Sequence, residues 1–116
     1  MAGSRSFSDY EFLSLVLNKF LILKEELKFE EIEIVSGGAR GADSLGERYA
    51  TENGCLLTVM KADWDSYGRS AGYIRNAEMA NYGDIIICFW DLKSRGTRHM
   101  IKTAKKQGKI VKVIPF

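Results

Sequence analysis

The sequence predicts an α/β fold: a mostly parallel sheet covered by helices on both faces, a three-layer sandwich. Three observations carry this. Short apolar runs rich in Ile and Val alternate with amphipathic stretches of helical length. Two strand-to-helix connections, "SGGARGAD" and "SRGT", carry glycine directly before a helix pattern. The run "DIIICFW" (84–90) is so apolar that both of its faces need cover, as in a parallel sheet.

The first helix is expected over "SDYEFLSLVLNKFLILKEELK". Ser8 stands as its N-cap with Glu11 three residues on, a capping box, and Leu13, Val16, Leu17, Phe20 and Leu27 form one stripe. Phe12, Leu15 and Ile22 fall off that stripe, so the helix is either deeply buried or touches a second subunit as well as its own core. Next come a strand "EIEIV" (31–35), a helix "ADSLGERYATENG" ending near Gly54, and a strand "CLLTVM" (55–60). A helix "SAGYIRNAEMANYG" ending near Gly83, the strand 84–90, a helix "TRHMIKTAKKQG" and a last strand "KIVKVIPF" complete the order. Strands joined through helices pair in parallel by right-handed crossovers, which makes the sandwich Rossmann-like. The pattern asks for a strand before the first helix, yet only "MAGSRSF" stands there, so the first strand is truncated or missing.

Composition narrows the function. A length of 116 residues, 46% of them hydrophobic, fits one domain over 1–116 and hence one site. The net charge of +2 does not mark a nucleic-acid binder, although eight Lys or Arg and no carboxylate follow Asp91. Cys55 and Cys88 lie in apolar runs and read as reduced thiols, which points to the cytoplasm, and neither they nor His99 have metal-ligand spacing. "FLSLVLNKFLIL" is too short to span a bilayer and lacks the marks of a signal peptide. No metal, cofactor or membrane is expected.

In parallel sheets ligands bind at the carboxyl ends of strands, where helix N-termini point. Four loops fall at that end. They are "GSR" (Gly3, Ser4, Arg5), "SGGARGAD" (with Gly37, Gly38, Arg40, Gly41 and Asp43), "KADWDSYGRSAGYIRN" (with Asp63, Trp64, Arg75 and Asn76) and "DLKSRGTRH" (with Gly96, Thr97 and His99). "GGARG" is neither the dinucleotide G-x-G-x-x-G nor a Walker loop, so on its own it is a packed turn or a phosphate cradle. The second helix start, "RGT", favours the cradle, because two helix ends hold one polyanion from two sides. Arg5, Arg40, Arg69, Arg75, Arg95 and Arg98 gather at the same end, where guanidinium forks suit phosphate oxygens. Asp43 either caps its helix or accepts from a ribose. Trp64 either stacks on a base or closes the core edge, and Asp63 and Asp65 flank it as acceptors, a base or turn formers. His99, placed in the first turn of its helix, has no paired nucleophile, which argues for binding over catalysis.

Taken together, "AGSRSFSDYEFL", "SGGARGADSLGERYA", "ADWDSYGRSAGYIRNAEM" and "RGTRHMIKTAKKQGKIV" resemble the YspA/YpsA-related branch of the SLOG superfamily, over nearly the whole chain. Its wider relatives include the Lonely Guy phosphoribohydrolases and the DNA-processing DprA proteins. The resemblance implies a Rossmann-like domain for nucleotides or nucleotide-derived molecules, often a homodimer or higher homo-oligomer, with sensors and N-glycosidic hydrolases among its members. It implies phosphate-side positions at Gly37, Gly38, Arg40, Gly41, Gly96 and Thr97, with Gly3, Ser4 and Arg5 at the first loop. Arg75 stands where the hydrolases have an arginine. Their P-G-G-x-G-T-x-x-E motif carries a catalytic glutamate; here the matching residue is Met100 and "LKSRGT" lacks the P-G-G.

The expectation is therefore a cytoplasmic protein, phage-borne or bacterial, that senses or sequesters a nucleotide-derived ligand, more binder than enzyme. If it is an enzyme, it is a nucleotide N-glycosidase or phosphoribohydrolase served by Arg75, Asp43, Asp63 and His99, with Glu78 a further carboxylate. A DprA-like nucleic-acid role through Lys102, Lys105, Lys106 and Lys109 is the third reading, set against an ordinary solvated helix face.

Overall fold

The structure, a computed structural model, describes residues 1–22 and 32–116. In chain order it runs β1 (Ala2–Gly3), α1 (Tyr10–Ile22), β2 (Glu33–Ser36), α2 (Ala42–Asn53) and β3 (Leu56–Val59). It continues with α3 (Trp64–Tyr67), a 3₁₀ turn (Gly68–Ser70), α4 (Ala71–Tyr82), β4 (Ile85–Trp90), α5 (Arg95–Lys106) and β5 (Ile110–Pro115). Every expected helix and strand is present, and all three ladders are parallel. No helix of the described residues is long and apolar enough to cross a membrane.

Both faces of the sheet are covered, as the apolar run of β4 requires. Side chains alternate along a strand. Ile86 and Cys88 of β4, with Val35 of β2, therefore meet Met79 and Ala80 of α4 and Met100, Ile101 and Ala104 of α5. Phe89 and Ile34 face the other way, into Leu13 and Leu17 of α1 and Tyr49 and Ala50 of α2. Phe7 stacks on Phe89 with centroids 4.6 Å apart and ties the first loop to the second core. Tyr49, fully buried, keeps its hydroxyl satisfied by donating to Asn18 Oδ1 at 2.6 Å.

Several local expectations change. The cap of α1 is Asp9, whose Oδ1 accepts from the Phe12 N–H at 3.0 Å, one residue beyond the expected Ser8; Asp9 has the shorter reach to the third N–H of the helix. Leu27 of the expected stripe, and Glu31 of the expected strand, lie outside the described residues. Leu15 is 67% exposed, whereas Phe12 is half-buried against Phe7 and Phe89, so α1 is amphipathic and not buried all round. α5 begins at Arg95 with Ser94 as its cap, so Gly96 and Thr97 sit inside the first turn and His99 in the second.

The first strand is present and short, two residues long. Ala2 and Gly3 pair with Cys88 and Phe89 of β4, and β5 pairs along the other edge of β4. β2 pairs with β3 alone. The sheet is therefore in two pieces, because a two-residue strand is too short to form ladders on both sides. A cavity of about 230 Å³ lies between the pieces, lined by Ile32, Ile34 and Val35 on one side and Ile85, Ile86 and Ile87 on the other.

Candidate functional site

Gly3 ends β1, and a Cβ there would come within 2.6 Å of the Ala42 Cβ, so the first loop lies directly on the start of α2. Ser4 is buried: its N–H donates to the Phe89 carbonyl at 2.9 Å and its Oγ accepts from the Asp91 N–H at 3.1 Å. The loops after β1 and β4 are thus tied together. Asp91 then makes a turn of its own, its Oδ1 accepting from the N–H groups of Lys93 at 2.9 Å and Ser94 at 2.8 Å. Those N–H groups hold the Asp91 carboxyl below the usual carboxylate range.

These loops frame a polar pocket of about 390 Å³ at the carboxyl end of the strands. Of the residues singled out in the sequence, Gly3, Ser4, Arg5, Asp43, Arg75, Asn76, Gly96 and Thr97 line it. Gly37, Gly38, Arg40, Gly41, Asp63, Trp64 and His99 are not in its wall. The glycines of "GGARG" instead meet protein. A Cβ on Gly37 would lie 2.7 Å from Arg75 Nη1 and 3.0 Å from Asp43 Oδ2; on Gly41, 2.7 Å from the Arg5 Cα; on Gly38, 3.1 Å from the Lys61 Cγ. Gly38 and Gly41 have φ of 74° and 76°, which glycine adopts without strain. Gly96 differs, since a Cβ there would meet open space. Arg40, Arg69, Arg95 and Arg98 lie outside the pocket wall, whereas Arg5, itself exposed, and Arg75 line it.

Arg75 and Asn76 join the two halves of the pocket. Arg75 Nη1 donates to the Gly37 carbonyl at 2.6 Å and its Nε to Asn76 Oδ1 at 3.2 Å. Asn76 Nδ2 donates to the Gly96 carbonyl at 3.1 Å and reaches His99 Nδ1 at 3.4 Å. The loop after β2 is thereby braced through α4 to the first turn of α5. Burial pulls the Arg75 guanidinium down from its ordinary pKa and the Asp43 carboxylate opposes this; at its high starting value it stays charged.

Asp43 does not cap α2. The N-cap is Gly41, which makes no side-chain cap bond, and Asp43 follows inside the first turn with 6% of its surface exposed. Its Oδ2 accepts from the Ala39 N–H at 3.3 Å, while Oδ1 is buried without a partner among the described residues. Burial raises the Asp43 carboxyl above its ordinary value, against the charge of the amino terminus, the Ala39 N–H and Arg75.

Trp64 is the first residue of α3 and 53% exposed; α3 is capped by Asp63, whose Oδ1 accepts from the Ser66 N–H at 3.1 Å. Its ring and the Arg75 guanidinium flank Gly72, 3.4 Å and 4.0 Å from where a Cβ would stand, so Trp64 sits beside the pocket and outside its wall. His99 stacks on Tyr73 at 4.2 Å. Met100, 1% exposed, lines the pocket at the position where the hydrolases carry glutamate. Asp91 and Ser94 were not among the sequence candidates. A Ser directly before a helix is a cap signal that marks Ser94, and Asp91 three residues earlier is a turn residue.

Strand-to-helix turns that carry glycine, gathered round one polar pocket at the carboxyl end of a parallel sheet, define a Rossmann-like domain of nucleotide-related type. The chain belongs to the YspA, cpYpsA-related SLOG family, whose description matches residues 1–67. It is 40% identical to the Gene 61 protein of Mycobacterium phage D29 over 89 aligned residues, covering 72% of this chain and 70% of that protein. No solved structure matches it.

Proposed function

We propose that this chain is a single ligand-binding domain for a nucleotide-derived, phosphate-containing small molecule, acting as a cytoplasmic sensor or sequestering protein. The observation that carries the reading is the convergence of Arg75, Arg5 and the first turn of α5 on one polar pocket. In this reading the N–H groups of Arg95 and Gly96 at the start of α5, Thr97 donating to the Ser94 cap, and the positive end of the helix dipole hold the phosphate, and Arg75 and Arg5 neutralise it. The nucleoside part extends toward Asp63 and Trp64, whose exposed ring is free to stack. A small mycobacteriophage relative accords with an accessory role in a phage or bacterial cell. Self-association into a homodimer or higher homo-oligomer is part of the same reading, and light scattering on the purified chain measures it.

Native mass spectrometry of the protein as purified from cells tests the reading directly. A retained phosphate-bearing small molecule, lost on Arg75→Ala, is the expected result. Release of free base from nucleotides at enzymatic rates would overturn the binder in favour of an N-glycosidase, but the apolar Met100 in the pocket wall supplies no carboxylate for that cleavage. For a nucleic-acid role the lysines of α5 carry little: Lys102, Lys105 and Lys106 are exposed opposite buried Ile101 and Ala104, the arrangement of an ordinary solvated face.

A further inference from the structure

We infer that Asp43 is the sugar-recognising residue of the pocket, and that the ligand is a ribonucleotide whose ribose hydroxyl donates to Asp43 Oδ1. The inference rests on the proposed binding reading and adds to it the class of ligand. Its starting point is an acceptor without a donor. Asp43 is 6% exposed, stands in the pocket wall, and its Oδ1 has no hydrogen-bond partner among the described residues. Buried carboxylate oxygens are nearly always satisfied, because leaving one unmet costs about 1–3 kcal/mol or more.

Among the described residues none donates to Oδ1. Oδ2 is engaged by the Ala39 N–H. Two cations neighbour the carboxyl, the amino terminus and Arg75, yet neither bonds Oδ1; Arg75 directs Nη1 to the Gly37 carbonyl and Nε to Asn76. Arg48–Glu52 is the ion pair found among the described residues, and Asp43 is in none. No cluster of three metal-ligating side chains occurs among the described residues, so a cation lacks the further ligands it would need. A phosphate is repelled by a carboxylate. What fits Oδ1 is a neutral donor brought by the ligand.

Position selects a sugar hydroxyl over a base amine. Arg75 Nη1 and Asp43 Oδ2 both lie within 3.0 Å of one point, the place of a Cβ on Gly37. A ligand with its phosphate on Arg75 therefore meets Asp43 only a few bonds from phosphorus. That is where a ribose hydroxyl stands; the amines of a base lie beyond the sugar ring. The pair sorts the ligand by charge, with Arg75 taking the anion and Asp43 the adjacent hydroxyl.

The test is calorimetric titration with ribonucleoside 5′-mono- and diphosphates against their 2′-deoxy, 3′-deoxy and 2′,3′-dideoxy counterparts, on wild type and Asp43→Asn. In the variant the carbonyl oxygen keeps the Ala39 N–H and an amino group replaces Oδ1. Wild type is expected to bind the best ribonucleotide about 10-fold or more tighter than the form lacking the recognised hydroxyl. The variant is expected to lose most of that preference. Equal affinity of wild type for ribo and dideoxy forms overturns the inference while leaving nucleotide binding standing, and this comparison does not depend on the variant folding. Failure of every probe to bind overturns both.

Discussion

Arg75 Nη1 donates to the Gly37 carbonyl at 2.6 Å, and the guanidinium fills the space a side chain on Gly37 would take. The glycine of one loop is thus shaped by the arginine of a helix 38 residues later. The same guanidinium donates to Asn76, which holds the first turn of α5 through the Gly96 carbonyl.

Arg75→Ala is therefore expected to weaken the binding of nucleotides or pyrophosphate by about 10-fold or more, by removing a charge and releasing the brace. Arg75→Lys is expected not to restore it, because one ammonium cannot reproduce the fork between Gly37 and Asn76. Titration calorimetry on the three proteins checks both statements.

Gly41 and Gly108 separate backbone strain from collision. Both have positive φ, 76° and 73°, but a Cβ on Gly41 would strike the backbone of Ser4 and Arg5 whereas one on Gly108 meets nothing. Gly108→Ala is expected to cost about 1–2 kcal/mol, and Gly41→Ala about 1–3 kcal/mol more from overpacking. Urea unfolding curves measure the difference.

His99 predicts an acid-sensitive site. Burial lowers its pKa from the ordinary 6.5, so between the folded value and 6.5 the unfolded chain binds more protons than the native one. Stability from neutral His99 is present above 6.5 and is lost as pH falls through the folded value. Asn76 Nδ2 can only donate, so His99 Nδ1 accepts and Nε2–H faces the Thr103 hydroxyl; a proton on Nδ1 ends the Asn76 contact. Since His99 is the one histidine in the chain, an NMR titration reads it without ambiguity. A pKa below 6.5 is expected, and His99→Gln should flatten the pH dependence of thermal stability in that range.

Met100→Glu asks whether the glutamate of the hydrolases would confer cleavage here. Met100 is 1% exposed among apolar neighbours, so a carboxylate there is expected to destabilise the fold by about 2 kcal/mol or more. No release of base from nucleotides is expected, since the P-G-G turn before the motif is also lacking. Thermal melts and a chromatographic assay for free base decide it.

Tyr49→Phe is expected to cost about 1 kcal/mol, because it leaves Asn18 Oδ1 short of the donor it has at 2.6 Å. Denaturant unfolding gives the value.

The element order was legible because each element is encoded locally. The apolar alternation of 84–90, the glycines after Asn53 and Tyr82, and the Gly-rich turn before Ala42 act over a few residues, and periodicity reports them. Eight of the candidate residues line the pocket because the carboxyl end of a parallel sheet gathers the loops whatever their sequence. What the sequence by itself determined is thus the class of fold and the end of it where the pocket lies. The tertiary structure alone decided which residue does what there. Gly37 and Gly41 serve close packing of Arg75 and of the first loop, Asp43 lines the pocket and keeps one oxygen unmet among the described residues where a helix cap was the simpler reading, and Arg40 stays outside. Those roles depend on contacts between residues up to 87 positions apart, such as Ser4 with Asp91, and no local pattern records which distant neighbour a side chain meets.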